Sequence, residues 1–132
     1  MTSRRMVKGE LAQYEVPDWE PLRTVAGDEV VGSFMWMHEA RLRDGSPVHA
    51  YKHIDTRGYV HLGHDGQGYA YVGEELYRRV EARRLFLGIA LDLAQLRSRD
   101  DIEFRAMWAV VERLDRMAER ASAADEGPSR DA

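Results

Sequence analysis

The sequence predicts an α+β fold: a four-stranded antiparallel β-meander followed by an α-helical hairpin that packs on one face of the sheet. Two observations predict the sheet. Residues 29–72 alternate between apolar and polar side chains, and the pairs Asp44-Gly45 and Asp65-Gly66 interrupt this alternation. Asp-Gly between alternating segments is a strong β-hairpin signal. A third observation predicts the helices, because apolar residues recur at helical spacing through residues 73–121.

Length and composition limit the classes of function that the chain can have. The chain has 132 residues, of which 44% are hydrophobic, enough for the core of one domain. Its formal net charge of -4 disfavours a strongly basic nucleic-acid binder. The absence of cysteine excludes disulfides, thiolate metal sites and cysteine catalysis. The most apolar window, residues 85–96, is shorter than the roughly 20 residues of a membrane span, and the N-terminus lacks the apolar run of a secretory signal. We therefore expect a cytoplasmic protein that does not contact membranes.

Composition also divides the chain. Residues 1–28 contain Pro17 and Pro21 without clean periodicity and are interpreted as an extended N-terminal arm. Residues 29–121 are predicted to form a single α+β domain, with the sheet in 29–72 and the helical hairpin in 73–121. Residues 122–132 lack large apolar side chains and are predicted to be a disordered tail.

The turns predict the strands and their register. Strands are expected at about residues 30–42, 47–54, 57–63 and 68–72, in the order 1-2-3-4, with a third turn at Asp55-Thr56. Two-residue turns would set three opposed pairs: Arg43 with Ser46, Ile54 with Arg57, and His64 with Gln67.

This register assigns the side chains to two faces. One face would collect most of the rings and aliphatic side chains: Phe34, Trp36, His38, Ala40, Leu42, His49, Tyr51, His53, Val60, Leu62, Tyr69 and Tyr71. Only the other face carries Glu, Arg and Lys, which are rarely buried unpaired. The first face is therefore predicted to lie beneath the helices.

The first helix is predicted to begin after Gly73, because Glu74 and Glu75 suit the positive end of a helix dipole. The second helix is predicted to begin with Asp100 or Asp101 as its N-cap. The apolar arc of the first helix is wider than one contact needs, so it should also contact the second helix or another subunit.

The inward face offers a candidate binding site. Six residues are expected to line a small-molecule pocket: Trp36, His38, His49, Tyr51, His53 and Tyr71. Three of them, His38, His49 and His53, are also weak candidates for a zinc or iron site. His49 and His53 lie roughly 13 Å apart on a strand, so only His38 with one of them could share an ion. The alternative is ordinary half-buried histidines, and no cofactor is predicted.

A basic run follows the sheet. Arg78, Arg79, Arg83 and Arg84, together with Lys52 and Arg57 on the outer face, are weak candidates for binding an anion or nucleic acid. The four arginines are spread around the predicted helix and have acidic neighbours, so a solvated helix with ion pairs remains the alternative.

No catalytic residues are predicted, because no serine lies in a nucleophile motif and no Ser/His/Asp set is implied. We expect a non-enzymatic interaction module that forms a homo-oligomer or binds a protein partner through spare apolar surface. The alternatives are a small-ligand or metal-binding protein and, second, a nucleic-acid binder.

Overall fold

The computed structural model describes residues 16–130 and the side chains of residues 16–124. The elements follow in the order α1 (Glu20–Ala26), a 3-10 helix (Asp28–Ser33), β1 (Phe34–Arg41), β2 (Pro47–His53), β3 (Tyr59–Gly63), β4 (Gly68–Gly73), β5 (Leu76–Val80), α2 (Ala82–Leu96) and α3 (Ile102–Arg130). An antiparallel sheet with helices after it confirms the α+β class. Residues 1–15 of the predicted arm and the last two residues of the predicted tail lie outside the described residues.

The sheet has five strands, not four, in the order β1-β2-β3-β4-β5. The predicted start of the first helix was wrong, because Leu76–Val80 pairs with β4 and α2 begins only at Ala82. The turn between β4 and β5 is made by Glu74 and Glu75, whose φ values of 51° and 60° are in the left-handed region. Tight hairpin turns normally place Gly or Asn at such positions, so two glutamates gave no turn signal.

Both Asp-Gly hairpins have loops one residue longer than predicted. The N–H of Leu42 donates to the carbonyl of Ser46 over 2.9 Å, and the N–H of Gly63 donates to that of Gln67 over 3.0 Å. Each loop therefore contains three residues and ends in a glycine with positive φ, Gly45 at 89° and Gly66 at 78°. The predicted oppositions of Arg43 with Ser46 and of His64 with Gln67 were wrong. Since side chains alternate along a strand, a shift of one residue moves them to the other face.

The shift exchanges faces in β4 and in the second half of β1. Tyr69 lies opposite His61 and Tyr71 lies opposite Tyr77, on the face away from the helices. In β1 a bulge between Trp36 and His38 adds a second one-residue shift, which returns the first half of the strand to its predicted face. The second half of the strand stays on the opposite face. His38 and Tyr71 therefore lie on the face opposite to the predicted one.

The remaining face assignments are confirmed. The register between β2 and β3 is the predicted one, with Tyr51 opposite Val60 and His49 opposite Leu62. The core between the sheet and the helices collects the following buried side chains: Leu22, Val25 and Ala26 of α1, Val30, Phe34, Tyr51, Val60 and Leu62, Phe86, Ile89, Ala90 and Leu93 of α2, and Phe104, Met107, Val110 and Val111 of α3. The helix α3 is capped by Asp101, whose Oδ2 accepts the N–H of Glu103 over 2.9 Å.

The open face of the sheet is curled. His38 of β1 and Tyr77 of β5 line the same cavity, although four strand spacings in a flat sheet would separate them by about 19 Å. Val48 and Ala50 of β2 are buried, and Ala50 lies opposite His61 of the same face. Among the described residues, no helix combines the length and apolar character that a membrane crossing requires.

Candidate functional site

A groove of about 590 Å³ lies along the open face of the curled sheet. Its lining is mainly aromatic and comes from four strands and the start of α2: His38, Tyr59, His61, Tyr69, Ala70, Tyr71, Tyr77 and Leu85. We call this cavity the aromatic groove. Its residues meet because the two hairpin loops shift β1 and β4, and because β5 adds Tyr77 beside them.

The rings of the groove form a continuous row. Tyr59 stacks on His61 with centroids 5.7 Å apart. His61 is 5.4 Å from Tyr77 at an interplanar angle of 58°, and Tyr77 is 5.3 Å from Tyr71 at 61°. Parallel stacking therefore gives way to inclined rings, so that the row turns a corner at Tyr77.

Two of the polar groups in the groove, those of His61 and Tyr77, are uncharged. Burial and, less strongly, the neighbouring His38 lower the pKa of His61 to about 4, so the imidazole of His61 is uncharged at neutral pH. Burial raises the pKa of the Tyr77 hydroxyl, and Tyr71 and Glu75 raise it as well. Tyr77 is therefore a neutral phenol that can donate or accept a hydrogen bond.

A second polar cluster lies on the helix-facing side, at the end of the sheet near α1. The indole N–H of Trp36 donates to Nδ1 of the buried His49 over 3.0 Å. Nε2 of His49 lies 3.5 Å from Oδ2 of Asp18, and Nε2 of the half-exposed His64 lies 2.8 Å from the same oxygen. The carboxylate of Asp18 thus joins a histidine of β2 and a histidine of the loop after β3.

The ionisation of this cluster follows from its contacts. Burial alone would raise the pKa of Asp18, but the backbone N–H of Glu20 and the side chain of His64 lower it, and the lowering prevails. Burial lowers the pKa of His49, although Asp18 opposes this effect. The cluster therefore contains a carboxylate and a neutral His49 at neutral pH.

A third cluster joins the sheet to α3. Nδ1 of the fully buried His53 accepts the backbone N–H groups of Asp55 and Thr56, each over 3.2 Å. Nε2 of His53 lies 2.9 Å from Oε2 of Glu103, whose Oε1 accepts the hydroxyl of Ser33 over 3.1 Å. These bonds satisfy both nitrogens of a histidine that has no access to water.

Two of these groups have metal-like spacing: Asp18, His49 and His64, and His53, Asp55 and Glu103, with donor atoms within 4.8 Å of one another. The histidine tautomers argue against an ion. In His49 and His53 the Nδ1 atom accepts N–H donors, so neutral imidazole carries its proton on Nε2, the atom that would have to bind the metal. Metal-bound histidines instead donate from their second nitrogen.

The six residues predicted to form a pocket do not meet at one site. Trp36, His49, Tyr51 and His53 face the helices as predicted, but they fill the core or its polar edge. His38 and Tyr71 lie in the aromatic groove on the opposite face. The predicted metal set is divided in the same way, because the longer loop after β1 shifts the second half of the strand and turns His38 away from His49 and His53.

Sequence reasoning missed Tyr59, His61, Tyr69 and Tyr77 as members of the pocket. The predicted register gives Tyr59 and His61 the correct face. Because that face carries charged side chains, the sequence predicts that it contacts water and does not form a pocket. The available signal was that Tyr59 and His61 lie opposite Lys52 and Ala50 of β2, so that two rings share one face with only one charged neighbour.

The predicted anion-binding residues do not gather on one surface. The Lys52 ammonium lies over the Tyr59 ring, 5.6 Å from its centroid, and Arg57 lies in the turn before β3. Arg78 and Arg79 are consecutive on β5 and so point to opposite faces. In α2, Arg83 is paired with Asp115, and Arg84 lies 3.6 Å from Glu81.

Comparison with known proteins adds no assignment: no family model, no curated protein and no solved structure matches this chain. The geometry of the aromatic groove and of the two histidine clusters is therefore the basis for a functional conclusion.

Proposed function

We propose that this chain is a small-molecule-binding module and that the aromatic groove is its binding site. The observation that carries the proposal is a cavity of about 590 Å³ lined by four tyrosines and two histidines on an uncovered sheet face. Ligand sites are concave, mostly apolar, about 300–1,000 Å³ in volume, and have a few polar groups that orient the ligand. The tyrosine hydroxyls and the histidine nitrogens provide such groups.

The exposure of the rings supports a ligand. Tyr71 is 54% exposed and Tyr59 is 40% exposed, although burial of a large ring would stabilise the fold. A surface that keeps several adjacent rings accessible is typical of a recognition site. The buried histidine clusters, in contrast, have their hydrogen bonds satisfied within the chain.

The lining favours binding over catalysis. None of the residues that line the aromatic groove is a carboxylate, a serine, a threonine or a lysine. His61 is a poor general base at neutral pH because its pKa is about 4. The groove can thus hold and orient a molecule, but its lining has no activated nucleophile.

Self-association is a second candidate, and a separate observation favours it. Leu91 and Leu96 of α2 and Ile102 at the start of α3 are exposed apolar side chains at one end of the helical layer. A second copy of the chain would remove them from water. Sedimentation equilibrium of the wild type and of Leu96→Asp tests this: we expect a dimer that the variant disrupts, and a monomer at all concentrations would exclude it.

Ligand binding is tested by titrating isotopically labelled protein with a panel of neutral, cationic and anionic aromatic fragments and following amide shifts. We expect one class to shift the amides of Tyr59, His61, Tyr71 and Tyr77. Tyr71→Ala should weaken that binding by about tenfold, which corresponds to roughly 1.4 kcal/mol. Leu91→Ala, an exposed substitution outside the groove, is the matched control and should bind normally. A panel that leaves these amides unmoved would refute the proposal.

A further inference from the structure

We infer that the ligand of the aromatic groove is a small organic ammonium compound, held against the rings of His61, Tyr71 and Tyr77 and facing the carboxylate of Glu75. This inference rests on the proposed function and specifies the chemistry of its ligand. Four features of the groove carry it: the arrangement of the rings, the charge of the imidazole, the position of an acidic side chain and an internal cation on the same row of rings.

The three rings in this corner are inclined to one another. His61, Tyr77 and Tyr71 follow one another at 5.4 Å and 5.3 Å with interplanar angles of 58° and 61°. Inclined rings turn their faces in different directions, and the face of an aromatic ring carries the negative part of its quadrupole. Alkylated ammonium groups are recognised by clusters of such rings, since they are large, weakly hydrated cations.

The imidazole in this corner does not repel a cation. Burial keeps the pKa of His61 near 4, so the ring is neutral across the physiological range. A histidinium at this position would oppose a positively charged ligand and favour an anion. His61 therefore acts as a third neutral wall beside the two tyrosines.

Glu75 supplies negative charge beside the groove, where it raises the pKa of Tyr77. Two further cavities, of about 470 Å³ and 380 Å³, share Tyr77 with the groove, and Glu75 lines both of them. The backbone N–H of Glu75 donates to the hydroxyl of Tyr71 over 3.4 Å, which links the turn to these rings. Glu75 is held there with a φ of 60°, a conformation costly for a residue with a side chain and common at functional sites.

The lysine and arginine residues described near the groove do not line it. Lys52 lies 5.6 Å from the centroid of Tyr59 at the far end of the row, so one of these rings already contacts an ammonium group. Arg41 lines the neighbouring cavity, but its guanidinium is 2.8 Å from Glu39. Arg79 lies opposite Tyr69. Among the described residues, no lysine or arginine lines the aromatic groove itself.

The test compares two probes of the same shape. Choline and 3,3-dimethyl-1-butanol differ in that a quaternary nitrogen replaces a quaternary carbon, so their difference in affinity reports the charge. We expect choline to bind at least about tenfold more tightly, as measured by calorimetry, with amide shifts at His61, Tyr71 and Tyr77. Equal affinities would overturn the inference while leaving the proposed function intact. Binding of neither probe, with neutral aromatic fragments still bound, would overturn it as well.

Two variants of the β4–β5 turn sharpen the test. Glu75→Gln should weaken choline binding by about threefold to tenfold and leave the alcohol unaffected, because it removes a charge that only the cation feels. Glu74→Gln is the matched control: it removes the neighbouring charge from the same turn, and Glu74 does not line these cavities. Equal effects of the two variants would overturn the role of Glu75. A trimethyllysine peptide that binds at least about tenfold more tightly than choline would overturn the assignment to a free small molecule.

Discussion

The indole Nε1–H of Trp36 donates a hydrogen bond to Nδ1 of His49 over 3.0 Å. This bond decides which nitrogen of His49 carries the proton, because an acceptor nitrogen must keep its lone pair. Nε2 is then the protonated atom, and it points toward the carboxylate of Asp18 at 3.5 Å. A single indole thereby determines that the protonated nitrogen of His49 is the one on the side of Asp18.

Replacement of Trp36 tests this relationship. Trp36→Phe leaves Nδ1 of the buried His49 without its donor, and we expect a loss of about 1–3 kcal/mol in the free energy of unfolding. Trp19→Phe is the matched control, because Trp19 stacks on Tyr51 at 5.6 Å and phenylalanine preserves that ring contact. Urea denaturation measures both variants. Equal losses in the two would contradict a specific role for the Trp36–His49 bond.

The bond between His53 and Glu103 is expected to stabilise the attachment of α3 to the sheet. His53 is fully buried, and Glu103→Ala would leave its Nε2–H without an acceptor, at a cost of about 2–3 kcal/mol. Glu103→Gln should cost less than about 1 kcal/mol, because its carbonyl can accept from His53 while its amide donates to Ser33. Denaturation midpoints distinguish the two variants. A glutamine variant as unstable as the alanine variant would show that charge, not hydrogen bonding, matters here.

The stability of the fold should depend on pH through His61. Its pKa is about 4 in the folded chain, below the ordinary value of 6.5, so the unfolded chain binds this proton first as the pH falls. The stability contributed by this group is therefore fully present above about pH 6.5 and declines as the pH falls toward 4.

The variant His61→Phe isolates this effect, because it retains a ring against Tyr59 and removes the titrating group. The difference in unfolding free energy between wild type and variant should change between pH 6.5 and pH 4 and be constant above pH 7. His49, whose pKa is also lowered, contributes equally to both proteins. A difference that does not vary with pH would refute the assignment.

Substitutions in the β4–β5 turn should raise the stability of the fold. Glu74 and Glu75 both have positive φ, so Asn at the first position and Gly at the second would adopt the same turn with less strain. The double variant Glu74→Asn/Glu75→Gly is expected to unfold at a higher temperature, with a gain of about 1 kcal/mol or more. The double glutamine variant changes charge without relieving φ and should match the wild type. A double Asn-Gly variant no more stable than this control would argue against strain in the turn.

Local patterns were sufficient for much of the fold. The alternation in β2 and β3 predicted both strands and their mutual register, and the helical spacing of apolar residues predicted the second helix, which appears as α3 and buries Met107 and Val111. Asp101 was among the two residues expected to cap α3, and its side chain makes the capping bond. These features depend on residues near one another in the chain, where periodicity and capping act directly.

Tertiary structure decided where the rings point. An Asp-Gly pair fits a two-residue turn or a three-residue loop, and only pairing across the whole sheet selects the longer loop that moves His38, Tyr69 and Tyr71 to the open face. The β5 strand depends in the same way on pairing with β4, since residues 76–80 have helical spacing as well. The sequence alone thus determined the class of fold and the side chains available for a site. The tertiary structure determined the lengths of two loops and the position of a bulge, and with them which face the six rings of the groove occupy. The physical reason is that a strand reverses the direction of its side chains at every residue, so small long-range differences in pairing decide which face they occupy.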